Sequence, residues 1–279
     1  MTINAPGVAS GDHQRPLAVV TGATAGIGRE LARVFAENDF DVVVSAEDDR
    51  VDGVADELRK TSGVTVHGVR SDLATFDGCE QLVDAVAELG RPIDAIALNA
   101  GVGVTGDFAR DTELRDHLRL IDLNVSSTVH LARRFAPAMI ARKSGRILIT
   151  SSVAISTPVP YQSTYAASKA FVHSFAQALR SELEDSGVTV TALQPGGTDT
   201  EFWARSGAED SQITRADMSD PADIARTGYD AMMRGDDHVI AGKLSHKLAE
   251  KVGAVLPDKL SARLTATATR PRGTGRHVL

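Results

Sequence analysis

The chain has 279 residues, 42% of them hydrophobic but only 4% aromatic, enough apolar material for a sizeable core built chiefly of small aliphatic side chains. A formal net charge of −7 argues against a nucleic-acid partner, because phosphate backbones call for clustered Lys and Arg. The single cysteine, Cys79, makes neither an internal disulfide nor a zinc site by itself and reads as a buried structural thiol. The eight histidines are scattered, so no metal is expected.

No run reaches the roughly 18 apolar residues of a membrane-spanning helix. Residues 1–15 lack the apolar stretch of a signal peptide and read as a disordered leader, which predicts a cytoplasmic protein. From Pro16 onward, strand-like runs at 17–21, 41–45, 64–67, 93–98, 146–150 and 188–193 alternate with helical patterns at 29–37, 80–89, 114–142 and 165–186. Strand and helix in alternation mean parallel strands joined by right-handed crossovers. The expected fold is α/β, a doubly wound parallel sheet in three layers, making one domain over 16–264. Asp220 and Pro221 start a further helix over 221–234, and 237–241 is a candidate last strand. Leu244, Leu248, Val252, Val255, Leu256, Leu260 and Leu264 lie on one helical face interrupted at Pro257. Residues 265–279 are polar and basic and read as a disordered tail.

The first strand runs into Thr21-Gly22-Ala23-Thr24-Ala25-Gly26-Ile27-Gly28, and a helix opens at once. Glycine permits so tight a turn and the close approach of a pyrophosphate, and the helix N-terminus offers free N–H groups to the phosphates. A lone glycine loop is weak evidence; its place between first strand and helix is what points to a dinucleotide. Tyr165 and Lys169 are separated so as to share one helix face. A tyrosine at its ordinary pKa of about 10 is a poor base at neutral pH. A neighbouring ammonium is expected to lower it, letting a proton pass to or from a substrate oxygen. Ser152, just past the fifth strand, is placed to hold the same oxygen. Each feature has a plainer reading: the Tyr/Lys pair as an ordinary helix pair, Ser151 or Ser152 as backbone satisfiers, Asn124 as a neutral buried amide. Ser151 is the rival of Ser152 for the substrate.

Thr21 to Gly28, Asn99-Ala100-Gly101, Asn124, Ser152, Tyr165-x-x-x-Lys169 and Pro195-Gly196 stand in the order of the motifs of the short-chain dehydrogenase/reductase family, which the chain resembles from about Pro16 to Phe202. Leu98 departs from the Asn that many members carry before Asn-Ala-Gly. The resemblance implies a nicotinamide-dependent oxidoreductase acting on a ketone or secondary alcohol, with Asn124, Ser152, Tyr165 and Lys169 as the catalytic set. It implies cofactor contacts from Gly22, Thr24, Ala25, Gly26, Ile27 and Gly28 at the turn, and from Asp72 and Leu73 at the adenine. It adds Asn99, Ala100 and Gly101 beneath the ribose, Lys169 and Tyr165 at the nicotinamide ribose, and Pro195, Gly196, Thr198 and Thr200 around the carboxamide and phosphates. The residue matching Asn124 fixes a water that relays protons through the lysine.

An acidic residue after the second strand bonds both ribose hydroxyls and repels a 2′-phosphate. Glu47 stands where NADP-dependent relatives usually carry Arg, and Ala25 replaces the basic residue they often have before the second glycine. Arg50 and Arg70 are the nearby cations that oppose this. NAD is therefore favoured over NADP.

Residues 200–219, with Phe202, Trp203, Ile213 and Met218, are expected to form a lid, and 155–161 the opposite wall of a mostly apolar pocket. By the resemblance, the long helices pair subunits into a homodimer or homotetramer. The rivals are a catalytically silent cofactor sensor or scaffold, which loss of Tyr165, Lys169 or Ser152 would mark, and an epimerase, for which the region after Pro195 is too short.

Overall fold

The computed structural model describes residues 14–155, 157–208, 218–243 and 257–270. Seven strands form one parallel sheet: β1 (Leu17–Thr21), β2 (Asp41–Ala46), β3 (Val66–Arg70), β4 (Ala95–Leu98), β5 (Gly145–Thr150), β6 (Val188–Pro195) and β7 (His238–Ala241). Their order is β3-β2-β1-β4-β5-β6-β7, so the chain reverses its winding between β1 and β4. In such sheets ligands bind at the carboxyl ends of the strands, at that switch point.

Alternation along each strand feeds two cores. Ala18 and Val20 point into one, with Leu31, Phe35, Val54, Ile224 and Met232. Leu17 and Val19 point into the other, with Leu82, Leu131, Phe135, Met139 and Val172. The first core belongs to α1 (Gly26–Glu37), α2 (Arg50–Ser62) and α8 (Pro221–Arg234), the second to α3 (Phe76–Glu88), α5 (Ser127–Arg142) and α6 (Ser163–Glu182). A sheet covered on both faces explains why the central strands are apolar throughout instead of alternating with polar residues. Asp220 caps α8 as its sequence predicts, its side chain accepting from the Ala222 N–H at 2.8 Å.

Three expectations are corrected. The third strand runs over Val66–Arg70, not 64–67, because its ladder to β2 starts at Val66 opposite Val42 while Asp41 takes the Thr65 N–H. The helical segment at 114–142 is not one α-helix: α4 (Leu114–Ile121) passes through a π turn (Asp122–Ser126) into α5. The tail does not begin at Thr265, because a helix, α9 (Asp258–Thr269), runs five residues past Leu264. The Thr265 and Thr269 hydroxyls reach out of it to the carbonyl oxygens of Pro158 and Pro160, at 2.8 and 2.7 Å. Residues 1–13, 209–217 with Ile213, 244–256 with Leu244, Leu248, Val252, Val255 and Leu256, and 271–279 lie outside the described residues, so most of the leader, the lid's centre and the end of the tail do too.

Candidate active site

The carboxyl ends of the central strands open into a cleft of about 640 Å³. Gly22, Thr24, Ala25, Gly26, Ile27, Gly28, Glu47, Asp72, Leu73, Asn99, Ala100 and Gly101 all border it, as do Ser152, Tyr165, Lys169, Pro195, Gly196, Thr198 and Thr200. Of the nominated residues only Asn124 lies behind the wall.

Sterics explain the glycine turn. Gly22 and Gly26 have φ of +66° and +51°, the left-handed region where a Cβ is costly. A Cβ on Gly22 would come within 2.9 Å of the Ala100 Cα, and one on Gly28 would run into the Gly22 carbonyl. Helix α1 starts at Gly26 with no side chain capping it, leaving its first N–H groups facing the cleft. That uncapped end, beside bare glycine backbone, fits a pyrophosphate. Asn99 joins three strand ends. Its N–H bonds the Thr21 hydroxyl at 2.9 Å, its amide donates to the Thr21 carbonyl at 3.2 Å, and its Oδ1 accepts from Thr150 at 3.1 Å.

Arginines surround the outer end of the cleft. Arg119, on α4, bonds Glu47 at 2.5 Å and both Asp72 oxygens at 3.0 and 3.1 Å. Arg50 joins Asp48 to Glu201, and Arg205 reaches both of those carboxylates. Arg70 pairs with Asp49. The carboxylates of the 47–49 segment are thus neutralised, Asp48 being held below its usual range by Arg50. The sequence pointed to Arg50 and Arg70 but gave no sign of Arg119 or Arg205, which approach from other elements.

At the inner end, α6 carries Tyr165 and Lys169 on one face, with Lys169 Nζ 5.9 Å from the Tyr165 ring centroid. Lys169 donates to the Thr150 carbonyl at 2.9 Å, and burial lowers its pKa to about 8. Burial pushes Tyr165 up to about 12, with the Ser152 hydroxyl opposing that rise. The expected lowering of Tyr165 by Lys169 is therefore not found in the chain alone: removal from water outweighs the lysine, whose own charge is disfavoured there. Ser151 donates its hydroxyl to the Lys169 carbonyl at 3.0 Å and is 2% exposed. Ser152, in contrast, accepts from the Ala154 N–H at 3.1 Å and stands beside Tyr165.

Asn124 sits in the π turn, buried, with every side-chain partner assigned. It accepts from the Val102 N–H at 2.9 Å and donates to the Val102 carbonyl and the Ser168 hydroxyl, both at 3.0 Å. A Cβ on Gly101 would come 3.1 Å from Asn124 Oδ1 and 3.3 Å from Lys169 Nζ. Single-turn π bulges inside helices are frequent at functional sites, and this one turns an amide toward the lysine's surroundings.

The two ends of the 200–219 segment meet where Ser219 pairs in parallel with Thr198, the Asp199 N–H reaching the Ser219 carbonyl at 3.0 Å and the Ser219 N–H the Gly197 carbonyl at 2.9 Å. Phe202 lies with its ring 5.2 Å from that of Tyr165, and the Trp203 indole donates to the Thr198 carbonyl at 2.8 Å. Opposite, Val159 and Gln162 form a wall backed by α9, which places Ser261, Leu264, Thr265 and Thr269 on the cleft. The helical face that carries Leu260 and Leu264 after Pro257 matches the first half of α9.

The family model described as short chain dehydrogenase matches residues 16–211. The chain belongs to the short-chain dehydrogenase family. Among relatives, a short chain dehydrogenase of Pseudocercospora fijiensis is 34% identical over 215 residues, 76% of this chain and 68% of its own length. The serine 3-dehydrogenase of Agrobacterium fabrum is 31% identical over 217 residues, 76% of this chain and 85% of its own. A short-chain dehydrogenase from Sphingobium yanoikuyae, solved in complex with NADPH, superposes with a TM-score of 0.76 at 29% identity, covering 94% of this chain and 99% of that one. This short-chain dehydrogenase is accordingly an NAD(P)-dependent oxidoreductase that transfers hydride between a nicotinamide cofactor and alcohol or ketone substrates. No helix among its described residues is long and apolar enough to cross a membrane.

Proposed function

We propose that Tyr165 is the general acid/base of this enzyme, that Ser152 holds the substrate oxygen, and that NAD is its preferred cofactor. The observation that carries the first reading is the juxtaposition of Tyr165 with Ser152 on the cleft, with Lys169 beneath them. The cofactor, when bound, supplies or accepts the hydride. Tyr165, pushed up to about 12, keeps its proton at neutral pH and is ready to give it to a carbonyl oxygen that gains electron density. Ser152 donates to the same oxygen and fixes it, while the ammonium of Lys169 stabilises the phenolate left behind. Asn124 holds the Val102 backbone and Ser168 in place around that lysine, and we assign it a positioning role. For alcohol oxidation the proton runs the other way, and Tyr165 needs its pKa lowered by the positive charge of the oxidised cofactor.

Glu47, just past β2 and 45% exposed at its side chain, supports the NAD reading because its carboxylate is free to exchange Arg119 for ribose hydroxyls. Arg119 and Arg50 favour the opposite reading, since either supplies a cation for a 2′-phosphate. Titration with NADH and NADPH, followed by fluorescence, separates them. NADH binds tighter, and Glu47→Arg reverses or narrows the gap; tighter NADPH binding by the unaltered protein overturns the assignment.

We also propose a homodimer or homotetramer. Leu114, Leu118 and Ile121 are 67%, 51% and 40% exposed, and Phe171 on α6 is 46% exposed. Apolar residues so placed are covered when subunits pair. Sedimentation of the purified protein tests it, and a monomer at micromolar concentration overturns it.

A further inference from the structure

Helix α9 lies beyond the residues that match the family model, which end at 211, and yet it completes the cleft. It is fastened to the wall by several groups in sequence. Thr265 and Thr269 donate to the carbonyls of Pro158 and Pro160, and Thr269 is only 2% exposed. Arg270, just after the helix, donates from Nε to the Tyr161 phenol oxygen at 2.9 Å and lies 5.6 Å from the centre of that ring. Tyr161 itself has φ of +65°, a conformation a bulky residue holds only where its surroundings impose it. Its carbonyl accepts from the Gly106 N–H at 2.9 Å, and the next residue, Gln162, donates to Thr105 at 3.1 Å. The wall is thus clamped between α9 on one side and the 105–106 loop on the other.

The two ends of the cleft differ in charge. Glu47, Asp48, Asp72, Glu201 and Arg205 border the outer end, where their partners are one another and Arg119 and Arg50. Around Ser152 and Tyr165 the lining is Val153, Val159, Gln162, Phe202, Leu264 and Thr265. Lys169 is the sole ionisable cation among the described residues there, and the Thr150 carbonyl holds it. Leu264 borders the cleft and is still 59% exposed, an apolar surface that the described residues leave uncovered.

We propose that α9 is the substrate-selecting wall of this enzyme, seating the apolar body of an uncharged ketone or secondary alcohol against Leu264 and excluding substrates that bear a carboxylate. An anion beside Leu264 gives up part of its water, and among the described residues the one cation at that end, Lys169, is already held by the Thr150 carbonyl. An alkyl or aryl body instead covers Leu264 and releases water from it. The inference rests on the reading of Tyr165 and Ser152 as the groups at the reacting oxygen, because that reading fixes which end of the cleft is the substrate's.

The test compares heptyl methyl ketone with the same ketone carrying a terminal carboxylate, as reductase substrates of the full-length protein. The wild type is expected to favour the neutral ketone in kcat/KM by about a hundredfold, the upper end of what a polar group left without a partner loses. Leu264→Arg, at an exposed position where folding tolerates it, narrows that ratio at least about tenfold while the Kd for cofactor stays unchanged. Arg270→Ala releases Tyr161 and raises KM for the neutral ketone more than it lowers kcat, whereas a purely structural role moves thermal stability and leaves the split alone. Equal use of both ketones by the wild type overturns the proposal, as does an unchanged ratio in Leu264→Arg. Turnover of neither ketone by a protein that binds cofactor also overturns it and leaves the cofactor reading standing. Loss of turnover in Tyr165→Phe with the wild-type ratio equal keeps the catalytic reading and discards only the α9 assignment.

Discussion

Lys169 is held at a cost, and replacing it with methionine exposes that cost. Its pKa falls from 10.5 to about 8 through burial. At 1.36 kcal/mol per unit the shift amounts to about 3 kcal/mol against the charged form. Methionine fills similar space without a charge but forfeits the bond from Nζ to the Thr150 carbonyl, about 1.5 kcal/mol. The net expectation is a gain of about 2 kcal/mol at neutral pH, or about 4 °C in Tm for a domain of this size. The sign with pH follows from the direction of the shift. The folded pKa lies below the unfolded one, so the unfolded chain holds more protons between pH 8 and 10.5. The wild type's deficit is complete below pH 8 and fades across that window, so the two curves cross and near pH 10.5 the bond from Nζ leaves the wild type the more stable by about 1.5 kcal/mol. Thermal melts of the cofactor-free proteins at pH 7 and at pH 10 measure it. The same variant loses catalysis, so stability rises as function falls. A Lys169→Met protein less stable than wild type at pH 7, or a difference that ignores pH, refutes the reasoning.

Further predictions concern the cleft. Carbonyl reduction declines as pH rises through about 8, where Lys169 loses its proton, and a pH–rate profile in kcat reads this directly. Ser152→Ala lowers kcat about 100-fold, whereas Ser151→Ala, whose hydroxyl is spent on the Lys169 carbonyl, leaves kcat within a few-fold; steady-state kinetics on the pair decide between them. Gly28→Ala abolishes cofactor binding in a fluorescence titration, because its methyl group and the Gly22 carbonyl cannot share the space. Retained affinity there contradicts the packing of the turn.

The sheet was legible because its strands are short, apolar and evenly separated by helical patterns. Its central strands are buried on both faces, and burial of that kind leaves runs such as Leu17–Thr21 with hardly a polar residue. Helix α8 was legible to the residue, since Asp220, Pro221 and Gly235 mark its start and end. The Tyr165/Lys169 pair and the glycine turn were equally legible, because their geometry is local: one helical turn, one tight loop. What remained hidden depends on distant parts of the chain. Arg119 meets Glu47 and Asp72 only after α4 packs beside the strand ends, and Arg50 meets Glu201 from 151 residues away in sequence. Nothing in the spacing of those residues announces the contact. The π turn was hidden for a similar reason, since 114–142 has a helical pattern throughout and the irregularity coincides with Asn124 reaching the Val102 backbone. The part of α9 past Leu264 was hidden as well, because its threonines find partners 107 and 109 residues earlier. Polar composition alone reads as a tail.

Tyr165 is the group proposed to exchange a proton with the substrate oxygen. Oxidation of reduced cofactor by a neutral ketone, followed by absorbance with wild type and Tyr165→Phe at matched cofactor saturation, tests it. The variant is expected to bind cofactor with unchanged affinity and to turn over at least about 100-fold more slowly. A Tyr165→Phe enzyme that keeps the wild-type kcat contradicts it.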